Sequence, residues 1–176
     1  MSDDDDVIQR ARGGDASAWR ELYESLAGRL VLWLRTRPSG DPAASPEDLA
    51  SEAWLVAAGR IADFTGGRAE FAGWLFGIAR NHALNAARRT ARRATDASET
   101  VELGTETHEL HVTGEDWVRF TLAQLPTREG EVLSAMEVSG LDAAATAAML
   151  GISTTAVRVA RHRGLARLRK SPLQLS

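Results

Sequence analysis

Apolar residues recur along this chain at intervals of three and four, and nowhere alternate one by one, so the pattern predicts helices and no strands. From about Asp15, the residues Trp19, Leu22, Tyr23, Leu26, Leu30, Trp33 and Leu34 form one continuous helical stripe. Pro38 and the run PSGDPAASP end it. A second helix starts at Ser45-Pro46-Glu47-Asp48. Ser45 suits the N-cap, Pro46 the first helical position, and Asp48 is a weak capping-box acid. Leu49, Ala53, Val56, Ala57 and Ile61 face inward there; Glu47, Asp48, Ser51 and Glu52 face outward, where carboxylates favour the helix start. After a glycine-containing loop, DFTGGRA, a long third helix reads EFAGWLFGIARNHALNAARRTARR. Phe71, Trp74, Leu75, Ile78 and His82 share one of its faces, while Arg80, Asn81, Asn85, Arg88 and Arg89 project elsewhere.

The periodicity then fades. Residues 93–115 are polar, acidic and rich in Thr and Glu, and are expected to form a flexible linker. His108 and His111 lie within it; a His-x-x-His pair without a third ligand predicts no metal site. A second helical module is expected over residues 116–172. Trp117, Phe120 and Leu125 make a short apolar face that Pro126 ends. Thr127 caps the next helix, with Val132, Leu133 and Met136 inward and Gly140 as its stop.

The stretch LDAAATAAMLGISTTAVRVARHRGLARLRK (Leu141 to Lys170) then predicts a helix-turn-helix. Asp142 caps the first helix, Gly151 permits the tight left-handed turn, and Ser153 caps the second helix. Val157, Ala160, Gly164, Leu165 and Leu168 form an inner face, while Arg158, Arg161, His162, Arg163, Arg167, Arg169 and Lys170 occupy the rest. A helix that is apolar inward and cationic outward fits the major groove of DNA.

Charge distribution sharpens that picture where net charge, −3, does not. Residues 80–93 carry five Arg and no acid, residues 153–170 five Arg and one Lys and no acid, and residues 94–117 seven acids and no Lys or Arg. The two basic patches are able to neutralise phosphates, and the acidic strip between them is not. Asn81 and Asn85 beside arginines and aromatics add groups that hydrogen-bond or stack exposed bases. The absence of Cys excludes disulfides, thiolate metal sites and thiol catalysis. No apolar run approaches the length that spans a bilayer, and MSDDDD lacks the form of a signal peptide, so a cytoplasmic protein without membrane insertion is expected. Residues 1–10 are expected to be a disordered acidic tail. No cofactor is expected.

Two cationic helical modules joined by an acidic linker resemble the bacterial RNA polymerase sigma factors of the sigma-70 family, specifically the two-domain extracytoplasmic-function (ECF) group. Four segments carry the resemblance, in family order, between Ala11 and Lys170: ARGGDASAWRELYESLAGRL, SPEDLASEAWLVAAGRI, FTGGRAEFAGWLFGIARNHALNAARR, and LAQLPTREGEVLSAMEVSGL with the helix-turn-helix. The resemblance implies an all-α fold in which a region 2 domain (11–92) binds polymerase and recognises and melts the −10 element. A region 4 domain (116–172) then reads the −35 element. It implies that Glu47, Asp48, Leu49 and Glu52 meet the clamp of the largest polymerase subunit, the flap being a further contact. It places Arg68, Trp74, Arg80, Asn81, Asn85 and Arg88 on −10 DNA, with Asn81 in the capture of a flipped base. It places Ser153, Thr154, Thr155, Arg158, Arg161, His162 and Arg163 on −35 DNA. The linker resembles the segment that threads polymerase towards its active cleft. The family also implies an anti-sigma partner, and a function that is not enzymatic.

Three departures qualify the likeness. Gly77 stands where the family often has a basic residue, Val159-Ala160 replaces a common serine–arginine pair, and DAAATAAML lacks a frequent Glu. The −35 preference of relatives therefore does not transfer. Two other classes fit less of the chain. A helix-turn-helix regulator that binds duplex operator without polymerase explains the C-terminal half but not the Asn/Arg helix. A metal-dependent nuclease needs a cluster of acids and histidines that the spacing does not supply.

Overall fold

The computed structural model describes residues 3–37, 44–96 and 113–171, with side chains from Asp6 onward. His108, His111 and most of the expected linker lie outside the described residues. Among the described residues the chain is helical throughout. Helix α1 spans Asp3–Arg12, α2 Ala16–Thr36, α3 Pro46–Arg60, α4 Arg68–Asp96, α5 Gly114–Ala123, α6 Thr127–Leu133, α7 Ala143–Leu150 and α8 Thr154–Lys170. No single helix among the described residues is long and apolar enough to cross a membrane.

The expected acidic tail is instead part of the core. Val7, Ile8 and Ala11 are buried on the inner side of α1. Their i, i+1, i+4 spacing makes a short apolar stripe, and the acids before them sit at the helix start, where the dipole favours them. The corner into α2 is tied by polar bonds. Asp15 caps α2 by accepting from the Ser17 amide at 2.8 Å and takes a second bond, 2.8 Å, from Arg10 Nε. Trp19 Nε1 donates back to the Ala11 carbonyl at 3.0 Å. The Ser17 hydroxyl and amide, with Arg10, hold the Asp15 carboxyl down at about 2.

Helices α2, α3 and α4 form the first core around Leu22, Leu30, Trp33, Phe71, Leu75 and Phe76. Phe71 meets Trp19, Trp54, Phe64 and Trp74 at ring-centroid distances of 5.7 to 6.4 Å. At the start of α3, the Ser45 hydroxyl accepts from the Asp48 amide as expected. Helix α4 runs past the expected start of the linker, through Arg92 and Arg93 to Asp96. Ala and Arg are strong helix formers, so propensity carries the helix past the point where the charge pattern changes. The second module also begins earlier than residue 116: Thr113 and Asp116 exchange side-chain and backbone bonds in a full capping box.

In the second module Pro126, not Thr127, occupies the cap position of α6, and no side chain caps it. The helix continues through a π-helical turn, Ser134–Val138, before Gly140 turns the chain at φ +67°. Val132, Ala147, Val157 and Ala160 make a small core of their own. Ala135, Leu141, Ala145 and Met149 belong instead to the large core of α2–α4, so the two modules are packed together. Helix α7 lies along α4 at a contact that a side chain would block: a Cβ on Gly73 would stand 2.7 Å from the Ala145 carbonyl oxygen.

Ile8→Ala is expected to cost about 2–5 kcal/mol in urea unfolding, as for a fully buried aliphatic; no change would mean that α1 is not docked. The Asp15 carboxyl lies below its ordinary 3.8, so its capping contribution is complete above that value and is lost as pH falls through about 2. An NMR titration of the Asp15 side chain is expected to show that midpoint.

Candidate nucleic-acid interface

The helix-turn-helix forms as its caps dictate. Asp142 accepts from the Ala145 amide at 2.7 Å, Gly151 takes φ +66°, and Ser153 accepts from the Ala156 amide at 3.1 Å. Ile152 closes the turn by donating its N–H to the Ala147 carbonyl at 3.1 Å. Helices α7 and α8 cross at 102°, within the range of DNA-reading pairs. Val157, Ala160 and Gly164 face the module core, and Gly164 lets Leu133 approach to 2.9 Å of the position a Cβ would take.

Outward, Thr155, Arg158 and His162 make one stripe at helical spacing, with Arg163 beside it; all four are exposed. Exposed Val159 lies within the same surface, an apolar spot suited to a thymine methyl. The other expected −35 residues are placed differently. The Ser153 hydroxyl is engaged as the helix cap, Thr154 is half-buried, and Arg161 is bound to Glu137 at 2.5 Å. The side-chain bond to Glu137 raises the pKa of Arg161. Arg167 pairs similarly with buried Glu129 at 2.9 Å.

On α4, Asn81, Asn85 and Arg88 are exposed at i, i+4 and i+7 and form a second stripe. Trp74 is half-buried and stacked on Phe64 at 4.8 Å, with the rings 28° apart. Phe64 belongs to the loop before α4, where Glu70 accepts from the Gly67 amide at 3.0 Å and Gly66 takes φ +135°. Arg68, at the other end of α4, is held by Glu21 at 2.5 Å. Twenty residues separate Arg68 from Arg88, about 30 Å along the axis, so the expected −10 residues do not form one patch. Arg80 is turned away from the Asn81 stripe and donates two bonds, 3.1 and 3.2 Å, to Glu131 of the second module.

The acidic start of α3 is presented as expected in part. Glu47, Asp48 and Glu52 are exposed; Glu47 is bound by Arg35, and Glu52 lies 3.0 Å from His82 Nδ1. The Arg35 bond lowers the Glu47 pKa. Leu49 is buried, because its spacing to Ala53 and Ala57 turns it into the core, so it supports this face from beneath. Beside the acids runs an apolar groove of about 720 Å³ between α2 and α3, lined by Trp19, Tyr23, Val31, Trp54 and Leu55. Tyr23, placed on the inner stripe by its spacing, is 55% exposed, and Leu55 is 74% exposed. Leu55 is out of phase with the buried Leu49–Ala53–Ala57 row, a signal that marks it as a surface leucine. A second groove, about 770 Å³, lies between α5 and the end of α8. Trp117 and Phe120 line it and are exposed; they do not form the core face their spacing predicts.

Comparison with known proteins accounts for both modules. The description "Sigma-70 region 2" matches residues 22–93 and "Sigma-70, region 4" residues 115–168. The chain is 31% identical to the ECF RNA polymerase sigma factor SigD of Mycobacterium tuberculosis, an alignment covering 94% of this chain and 82% of that one. It is 32% identical to the ECF RNA polymerase sigma factor ShbA of Streptomyces griseus, over 93% of this chain and 92% of the relative. Its fold is similar to that of CnrH in complex with the cytosolic domain of CnrY, with a TM-score of 0.65, 24% identity and 95% of both chains covered. It is also similar to the sigma factor RpoE of Bartonella quintana, solved with the anti-sigma factor NepR, at a TM-score of 0.64, 21% identity and coverage of 86% and 93%.

Gly151→Val is expected to strain the turn by about 1–3 kcal/mol, because a β-branched residue resists positive φ. The thermal midpoint reports it, and an unchanged midpoint would show that the turn relaxes freely.

Proposed function

The chain belongs to the ECF RNA polymerase sigma factors, and we propose that it divides promoter recognition between the two cationic stripes on α4 and α8. It binds core RNA polymerase and directs transcription initiation at specific promoters. Core polymerase supplies the catalytic chemistry, and this working partner places the protein in the cytoplasm. The observation that carries the division of labour is the pair of stripes, each exposed, each free of acids, and each on a separate sigma-70 module.

The region 2 module, residues 3–96 by the described helices, docks on polymerase through Glu47, Asp48 and Glu52. The adjacent groove of Tyr23, Trp54 and Leu55 supplies the apolar part of that interface. A partner helix fits such a surface, since apolar anchors give affinity and rim charges set orientation. Leu49 holds the acidic turn in place from below. The groove of Trp117 and Phe120 on the region 4 module takes the polymerase flap in the same manner. Asn81, Asn85 and Arg88 meet the −10 strand. Extruding a base costs a few kcal/mol, which contacts to its edge and to flanking phosphates offset. Arg68, Trp74 and Arg80 belong to the same function, Trp74 through its stack on Phe64. Thr155, Arg158, His162 and Arg163 address the −35 duplex, while Ser153, Thr154 and Arg161 hold the helix in position for it.

One similar structure holds a sigma factor with a bound anti-sigma factor, and the other holds CnrH with the cytosolic domain of CnrY. A small protein that covers the α2–α3 and α5–α8 grooves would compete directly with polymerase for this chain. The helix-turn-helix regulator acting alone is not favoured, because it assigns no role to the α4 stripe or the α2–α3 groove.

Run-off transcription with core polymerase and fragmented genomic DNA tests the function; absence of promoter-specific transcripts from every fragment would contradict it. Arg158→Ala and Arg163→Ala are each expected to weaken −35 binding by about 1–3 kcal/mol. Asn81→Ala is expected to suppress permanganate reactivity of the melted −10 region while leaving duplex docking within a factor of about two, since it removes a melted-strand contact and no duplex phosphate contact. Equal loss of docking and melting would remove Asn81 from the base-capturing role.

A further inference from the structure

Among the described residues the exposed large apolar side chains are Tyr23, Leu55, Trp117, Phe120 and Val159. The first four line the α2–α3 and α5–α8 grooves. Val159 lines neither groove and is 43% exposed in the middle of the cationic face of α8. At about 100° per residue it lies about 160° around the helix from buried Val157, so it points almost directly away from the module core. Thr155 before it, and His162 and Arg163 after it, are exposed around it at helical spacing. The Cβ atoms of such neighbours are about 5–6 Å apart.

Folding does not account for a valine here. Val159 belongs to neither hydrophobic core, and a β-branched residue is a poorer helix former than alanine. It also stands at the Val159-Ala160 departure, and the structure separates those two positions: Ala160 is buried in the small core, and only Val159 faces outward. An isopropyl group neither donates nor accepts a hydrogen bond. Set against a guanine O6 or a cytosine amino group, it strips water from a polar atom and returns no bond. Set against the 5-methyl group of thymine, it buries apolar surface on both sides. Valine also holds one strongly preferred χ1 rotamer in a helix, so little side-chain freedom is lost on contact.

We propose that Val159 is a specificity-determining residue that reads the 5-methyl group of a thymine in the major groove of the −35 element. This rests on the assignment of α8 as the −35 reader. Successive base pairs are about 3.4 Å apart, so the helical neighbours of Val159 address base pairs one or two steps from that thymine. Arg163 is such a neighbour, and a guanidinium bonds the O6 and N7 of guanine with two donors. The element this chain prefers therefore carries a thymine within about two base pairs of a guanine. Discrimination at the thymine has two parts: attraction to the methyl group, and rejection of bases whose polar edge would lose water without gaining a bond.

The test uses the full chain bound to core polymerase. This complex first selects duplexes from a library randomised across the −35 and −10 regions. Each thymine of the enriched −35 element is then replaced singly by deoxyuridine, which removes the methyl group and keeps the base pairing. Binding is read by fluorescence anisotropy. At least one replacement is expected to weaken binding about fourfold, the effect of one apolar carbon group returned to water. Val159→Ala is expected to bind the thymine and deoxyuridine duplexes equally at that position. Arg158→Ala is expected to bind more weakly throughout and to keep the deoxyuridine effect. A wild-type chain indifferent to every replacement, or a Val159→Ala variant as sensitive as wild type, would overturn the proposal. Weaker binding by Arg158→Ala together with indifference to deoxyuridine would remove Val159 alone and leave α8 as the reader. Enrichment of no −35 element at all would remove the α8 assignment, and the proposal with it.

Discussion

The approach of α7 to α4 at Gly73 governs the rest of the structure. The Ala145 backbone lies where any side chain at that position would begin, so the two helices touch main chain to main chain. Around this contact α4 serves three neighbours at once. Phe71, Leu75, Phe76 and Ile78 fill the first core, Gly73 and Gly77 receive α7, and Asn81, Asn85 and Arg88 face solvent beyond the contact. Twenty-nine residues give the helix about 44 Å, enough for its basic end to extend past the packed region. One rigid element therefore links the core, the junction between modules and the Asn81–Asn85–Arg88 stripe.

Charge is arranged by the same logic. A chain of net charge −3 binds DNA only through local patches, and several of its arginines are matched internally. Arg80 meets Glu131, Arg161 meets Glu137, Arg167 meets Glu129 and Arg68 meets Glu21. The exposed pairs among them contribute little stability but reduce the cation density offered to non-specific DNA. Arg37 is the extreme case. Burial pulls its pKa down to about 10, and Glu131 opposes that shift. On the proposed division of labour, tethering both stripes to polymerase gives the second contact a high effective concentration, so neither need bind tightly alone.

Much of this was legible in the sequence where local chemistry decides structure. The Asp142–Gly151–Ser153 punctuation specifies the helix-turn-helix, and Ser45-Pro46 specifies the start of α3, because each acts within a few residues. The α2 stripe and the Asn81–Arg88 spacing were visible for the same reason. What stayed hidden depends on partners far along the chain. Nothing within a few residues of Glu131 signals its burial, which depends on Arg37 and Arg80, 94 and 51 residues away. Trp117 and Phe120 read as core because spacing identifies an apolar face but not whether anything in the same chain covers it. Residues 1–10 read as a disordered tail because four consecutive acids outweigh the brief Val7–Ile8–Ala11 stripe that begins behind them. Leu49 was assigned to a surface by resemblance, although its own period already turned it inward.

The central claim is that the DNA-reading stripes work only as part of a polymerase complex. Equilibrium binding to a labelled promoter duplex, measured by fluorescence anisotropy with and without core polymerase at fixed salt, tests it most directly. The chain alone is expected to bind weakly and without sequence preference, and the complex to bind tightly and to discriminate against altered −35 and −10 elements. Tight, sequence-specific binding by the chain alone, unchanged on adding polymerase, would contradict the account and identify a self-sufficient regulator.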